Sequence, residues 1–274
     1  MHPMLTIAVR AARAAGNVIS LNFDDSTNVS VQEKSKNDLV TNVDRECEKL
    51  ICETILKSYP DHCVRGEEFG IVGNTDSDYE WIIDPLDGTT NFFKGIPHVA
   101  VSIGLRIKGV TTVGVVFDPI RNELFTAARG EGAQLNGRRI RVGEAHSLDG
   151  AIIATSFPHR KRGFMEDYKK ILFRIFNKCA DIRRAGTASL DLAYVAAGRL
   201  EGYFELCLYP WDFCAGELLV REAGGIVTDF AGGTDYYQSG NIVCGNPAVL
   251  KSLIREINAE PLSQAIISHK CLTK

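Results

Sequence analysis

Residues 84–92, Asp-Pro-Leu-Asp-Gly-Thr-Thr-Asn-Phe, follow the apolar run Trp81-Ile82-Ile83, which the pattern reads as a buried strand reaching a polar edge. Two carboxylates, Asp84 and Asp87, stand three residues apart at that edge, with Pro85 between them to bend the chain. Gly-Thr-Thr-Asn can then turn the backbone and open a helix, whose free N–H groups attract an anion. Two hard oxygen ligands beside an anion cradle suggest a divalent metal and a phosphate. Taken alone, the same residue pattern more often caps a turn, since Asp-Gly is common turn chemistry.

Two further segments favour the metal reading. Gly66-Glu67-Glu68 follows a second short strand pattern, His62–Arg65. In Trp211-Asp212-Phe213-Cys214-Ala215-Gly216, Asp212 sits in the first turn of a helix whose small residues let its backbone approach another element closely. No segment presents a serine or cysteine nucleophile with a base, so a phosphate ester would have to be attacked by water.

The three segments GEE, DPLDGTTNF and WDxxAGxLLVxEAGG, with KSKNDLVTNVD at residues 34–44, resemble the inositol monophosphatase family of metal-dependent, lithium-sensitive phosphatases. The resemblance spans about residues 4 to 258, and the opening MHPMLTIAVRAARAAG and the stretch RRAGTASLDLAYVAAGRLEGYFE are similar to a bacterial extragenic-suppressor branch associated with transcription antitermination. It implies the layered αβαβα sugar-phosphatase fold, a mixed α/β class. It also implies two or three Mg²⁺ ions held by Glu67, Asp84, Asp87, Asp212 and the carbonyl of Leu86. Glu67, Thr89 and Asp44 would carry the catalysis, with Asp44 pairing to Thr89 and Thr89 orienting the water; Asp44 could otherwise be a plain helix cap. The amides of Gly88 and Thr89 would cradle the phosphate beside Leu86, Asp87 and Asp212, and Gly186, Thr187, Ala188 and Glu205 would line the polyol side. Arg183 and Arg184 flank this region and could meet substrate or a partner subunit, while Glu68, Glu217 and Glu222 read as supporting or surface acids. Phe69 after GEE and Cys214 depart from the commoner family pattern without removing a ligand.

The rest of the chain must position these groups. Its 274 residues allow one large domain or two lobes, with 45% hydrophobic and 24% charged residues, as in ordinary globular proteins. Helical spacing covers 4–23 and 42–58, the second opened by Thr41-x-x-Asp44. Strand patterns follow at 81–83, 99–107, 110–117 and 123–128, with a hairpin signal at Asn136-Gly137. Asp149-Gly150 is the expected lobe boundary, separating a 1–150 lobe with most ligands from a 151–274 lobe supplying Asp212. Beyond it, strands and helices alternate up to a helix at 247–258 opened by Asn246-Pro247, and the tail from Pro261 has little pattern.

A net charge of −3 offers no global field for nucleic acid. The basic cluster His159-Arg160-Lys161-Arg162 reads as a solvated loop or, alternatively, as a partner patch. No apolar run approaches the roughly 18 residues of a membrane span, and Arg10 and Arg13 interrupt any leader-like segment. The cysteines at 47, 52, 63, 179, 207, 214, 244 and 271 form no ligand pattern and mostly sit in apolar segments, which fits a reducing cytoplasm. The leading expectation is a cytoplasmic, homodimeric Mg²⁺-dependent phosphatase of inositol monophosphate or a similar small polyol phosphate. Two alternatives stand beside it. One is a binding role with RNA polymerase and elongation factors in antitermination; the other is hydrolysis of fructose bisphosphate or adenosine 3′,5′-bisphosphate.

Overall fold

The computed structural model describes residues 2–24, 29–35 and 38–259. Helix α1 (Pro3–Asp24), a hairpin of β1 (Val31–Ser35) and β2 (Asp38–Thr41), and helix α2 (Asn42–Ser58) come first. An eight-stranded sheet follows: β3 (Cys63–Gly66), β4 (Gly70–Gly73), β5 (Tyr79–Asp87), then, after the short helix α3 (Thr89–Phe93), β6 (Ala100–Ile107), β7 (Val110–Asp118), β8 (Glu123–Ala128), β9 (Gly132–Leu135) and β10 (Arg138–Arg139). Its spatial order is β10-β9-β8-β7-β6-β5-β3-β4. The remaining chain runs β11 (Ile152–Thr155), α4 (Met165–Phe176), β12 (Asp181–Arg183), α5 (Ala188–Ala196), β13 (Gly202–Glu205), α6 (Pro210–Glu222), β14 (Ile226–Thr228), α7 (Tyr236–Ser239), β15 (Ile242–Gly245) and α8 (Pro247–Ile257). Its five strands form a second sheet in the order β12-β11-β13-β15-β14.

Strand alternation sorts the core into layers. On β6 and β7, Val101, Ile103, Leu105, Val113 and Val115 join Ala8, Ala12, Val43, Cys47 and Ile51 of α1 and α2. From the same strands Ala100 and Val116 turn the other way, to Leu192 of α5 and Phe213 of α6, and Tyr203 of β13 closes that layer from the second sheet. Phe204 and Val243 face the far side, against Tyr168 and Ile171 of α4 and Leu253 of α8. The result is helices, sheet, helices, sheet, helices: the expected αβαβα order.

The central helix α6 lies hard against the first sheet. A Cβ on Gly104 would come 2.4 Å from the Cys214 sulfur, and one on Gly114 would come 2.7 Å from the Ala215 carbonyl oxygen. Only glycine leaves room for that approach. The Ser102 hydroxyl then donates to the Trp211 carbonyl at 3.2 Å, fixing the helix start beside β6.

Most expected elements are present within a few residues. The Asn136-Gly137 turn has φ of 48° and 78°, the left-handed pair a tight hairpin needs. The β1–β2 hairpin and β4 were not expected. Strand β4 is an exposed edge of four residues, Gly-Ile-Val-Gly, with no buried face to give a period-two signal. Strand β5 runs further than Trp81–Ile83, to Asp87, with its pairing to β6 shifted between Asp84 and Asp87, where Pro85 has no N–H for the ladder. Residues 159–164 form a 3₁₀ turn rather than a loop, with Lys161 and Arg162 exposed. Among the described residues six cysteines are free thiols, whereas Cys207 is disulfide-bonded, a pairing that the reading of a reducing compartment did not anticipate. Among the described residues no helix is long and apolar enough to cross a membrane. Lys36 and Asn37 of the KSKNDLVTNVD segment, and the tail from Pro261, lie outside the described residues.

Candidate active site

The end of β5 opens into a cavity of about 310 Å³. Asp84, Leu86, Asp87, Gly88 and Thr89 form one wall, Glu67 from the β3–β4 turn adds to it, and Asp212 arrives from the first turn of α6. Residues more than a hundred positions apart meet here because α6 lies against β6 and β7. Each carboxylate is oriented by the backbone. Asp84 accepts from the Leu86 N–H at 3.0 Å. Asp87 accepts from the Ser189 N–H at 2.8 Å and hydroxyl at 2.6 Å, at the N-terminus of α5. Asp212 accepts from the Tyr209 N–H at 2.7 Å. Gly88, at φ 96°, sits against the Thr187 hydroxyl, which a Cβ there would meet at 2.6 Å.

Asp44 does two jobs at once. Its Oδ2 accepts from the Thr41 N–H at 2.8 Å and hydroxyl at 2.5 Å, completing a capping box at the start of α2. Its Oδ1 accepts from the Thr89 hydroxyl at 3.0 Å, across 45 residues of sequence. The cap and the Thr89 partner, which sequence posed as alternatives, are therefore both present. The Thr89 oxygen also lies 3.2 Å from the Leu86 carbonyl, a second acceptor for the same proton. Burial raises the Asp44 carboxyl above its ordinary range, and the bonds from Thr41 and Thr89 partly oppose that.

Electrostatics single the cavity out. Its lining holds six carboxylates, Glu67, Asp84, Asp87, Asp191, Glu205 and Asp212, against one guanidinium, Arg184. Asp84 is pushed well above the carboxylate range, first by burial and then by the charges of Glu67, Asp87 and Asp212. Buried like charges without a counter-ion are costly, and either a retained proton or a bound cation relieves that cost. The lining offers oxygen donors and no His or Cys, which suits a hard divalent ion such as Mg²⁺. Among the described residues no three His, Cys, Asp or Glu side chains are gathered closely enough to hold a metal ion as they stand, so the carboxylates share one lining without forming a ready ligand cage.

The chain beyond residue 150 also lines the cavity, through Gly186, Thr187, Ala188 and Glu205, joined by Ser156 and Leu208. Glu205 accepts from the Tyr203 hydroxyl at 2.6 Å, and Thr187 donates to the His98 carbonyl at 2.9 Å. Arg183 is not brought to the cavity. It is exposed and ion-paired with Asp181, whereas the next residue, Arg184, lines the site. Asp191 was not anticipated. It is buried on α5, raised by burial and then by Glu205 and Asp87, with Arg184 opposing. The available signal was an acid on the apolar face of a helix, between Leu190 and Leu192. Glu217 and Glu222 serve the scaffold: Glu217 accepts from Thr111 and Tyr236, and Glu222 from the N–H groups of Gly130 and Gly132.

The chain is similar to known proteins along nearly its whole length. The profile of the inositol monophosphatase family matches residues 1–262. The chain is 59% identical to "Nus factor SuhB" of Salmonella typhimurium over 97% of its own length and 99% of that protein. The crystal structure of extragenic suppressor protein suhB from Bartonella henselae aligns with a TM-score of 0.90 at 42% identity, covering 93% of this chain and 98% of that one. The structure of inositol monophosphatase from Anabaena aligns with a TM-score of 0.84 at 38% identity, covering 96% and 98%. The chain belongs to the inositol monophosphatase family.

Proposed function

We propose that this protein is a Mg²⁺-dependent phosphomonoesterase that hydrolyses inositol monophosphate, or a closely similar polyol phosphate, to the polyol and inorganic phosphate. The observation that carries the reading is the excess of carboxylates over guanidinium in one cavity at the meeting of β5 and α6. Glu67, Asp84, Asp87, Asp212 and the Leu86 carbonyl would hold two or three ions. When bound, Mg²⁺ supplies a Lewis acid that activates water and stabilises the leaving oxygen. The Thr89 hydroxyl donates to Asp44, which leaves its lone pairs to accept from the attacking water and orient it. Glu67 takes the water's proton. The amides of Gly88 and Thr89 bind the phosphate oxygens, and Gly186, Thr187, Ala188 and Glu205 bind the polyol hydroxyls. The lobes 1–150 and 151–274 act as one catalytic unit, in a cytoplasmic homodimer.

A panel of inositol monophosphate, fructose bisphosphate and adenosine 3′,5′-bisphosphate, with phosphate release measured with and without Mg²⁺, tests this. Release from the inositol ester that needs Mg²⁺ supports it. Release from none of the three, or equal release in excess chelator, refutes it.

A second role is favoured by the relatives named Nus factor SuhB, to which identity is 59% over nearly the whole chain. In this reading an exposed surface binds RNA polymerase or its elongation factors. Charge reversal at Lys161 and Arg162 should weaken capture by those proteins and spare hydrolysis, while Asp84→Asn should do the opposite. Loss of both activities in either folded variant would refute separable sites.

A further inference from the structure

Glu48 lies on α2, one turn beyond Asp44, and is fully buried, yet it is not part of the cavity lining. Its Oε2 accepts from the Glu68 N–H at 2.8 Å and its Oε1 from the Phe69 N–H at 2.7 Å. These are the two amides that immediately follow Glu67. On the other side the carboxylate fills the space beside Gly66, where a Cβ would come 2.1 Å from Oε1. One side chain thus packs against the residue before Glu67 and grips the two after it. Such bonds from N–H to a carboxylate are short, directional and stronger than neutral ones. Placing another buried negative charge close to an acidic cluster is also costly, and a neutral side chain could brace a merely structural turn without that cost.

We infer that Glu48 is a positioning residue for the metal site. It fixes the β3–β4 turn so that the Glu67 carboxylate faces Asp84, Asp87 and Asp212 across the cavity. With Asp44 one turn earlier, it makes α2 a common brace for the Glu67 ligand and for the Thr89 hydroxyl. This role rests on the metal-dependent reading above.

The test is metal binding to the substrate-free full chain, using Mn²⁺ as the probe and the electron paramagnetic resonance signal of the free ion as the readout. Wild type, Glu48→Gln and Glu48→Asp are compared at neutral pH. Glutamine keeps the volume but offers one acceptor oxygen, so its NH₂ meets one of the two N–H donors. Aspartate keeps the charge but is one methylene shorter and loses reach to one amide. Affinity should fall about 10- to 100-fold in Glu48→Gln, the usual cost of losing a group that orients a ligand, and less in Glu48→Asp. Metal-free melting should fall modestly, as the one unmatched N–H donor requires, with the chain still folded under the assay conditions, and at saturating Mg²⁺ the KM for substrate should be unchanged while kcat falls. Wild-type Mn²⁺ affinity in both variants would overturn the inference, and so would an affinity loss that only mirrors loss of folded protein. If Glu48→Gln does not fold, Glu48→Asp decides. A wild type that binds no Mn²⁺ would instead overturn the metal reading itself, and this role with it.

Discussion

Asp44→Asn separates the two jobs of one carboxylate. The amide oxygen must remain on the Thr41 side, because the Thr41 N–H can only donate. The new NH₂ group then faces the Thr89 oxygen, where Oδ1 now accepts at 3.0 Å. Thr89 is forced to accept from that NH₂ and to turn its own proton to the Leu86 carbonyl, 3.2 Å away. The polarity of the hydroxyl reverses, and one lone pair that should meet the attacking water is occupied. A bond to a charged acceptor is worth about 1.5–3 kcal/mol. Adding the lost orientation of the water, we expect kcat to fall about 10²–10³-fold, or roughly 3–4 kcal/mol. The helix cap survives, so stability in urea should drop by no more than about 1 kcal/mol. Thr89→Val should give a similar kcat loss, and the double variant should be little worse than either single one, because the pair acts as a unit. Phosphate release at saturating Mg²⁺ and substrate measures all three. Losses that multiply would show that Asp44 only caps α2, and a kcat near wild type in Asp44→Asn would remove the pair from the mechanism.

Other outcomes follow from the same geometry. In the metal-free protein Asp84 and Asp191 hold their protons to higher pH than in the unfolded chain, where an aspartate titrates near 3.8. Their stabilising contribution is complete below that value and is lost as pH rises through the raised folded values. Asp84→Asn should therefore melt above wild type at neutral pH in chelator, with the gap closing toward acid pH; a lower melting temperature at neutral pH would contradict this. Gly114→Ala drives a Cβ toward the Ala215 carbonyl at 2.7 Å, and should cost about 1–3 kcal/mol in urea and depress kcat by shifting Asp212. Gly163→Ala, which meets nothing within 4 Å, is the control, and equal behaviour of the two would refute the close-packing argument. Phosphatase activity should vanish in chelator, return with Mg²⁺ and be inhibited by Li⁺, a small hard cation suited to the same oxygens. Full activity in chelator would exclude an essential metal.

Local patterns in the sequence carried far. Period-two and period-3.6 spacing marked most strands and helices, Thr41-x-x-Asp44 and Asn246-Pro247 marked two helix starts, and the acidic motifs pointed to one chemistry. Short, one-sided or exposed elements escaped, as β4 did, because they bury no face that would impose a period. Tertiary structure decided what no spacing contains. Asp212 reaches the end of β5 only because Gly104 and Gly114 let α6 lie against the sheet. Glu48 and Asp191 look like misplaced charges on apolar helix faces until the Glu67 turn and the cavity wall are set against them. Of the adjacent arginines, Arg183 ends β12 and turns to Asp181, while Arg184 lies beyond the strand and lines the cavity. Residue types fixed which chemistry was available. Which side chains meet depended on register and on how closely two backbones could approach, and those are properties of the packed layers.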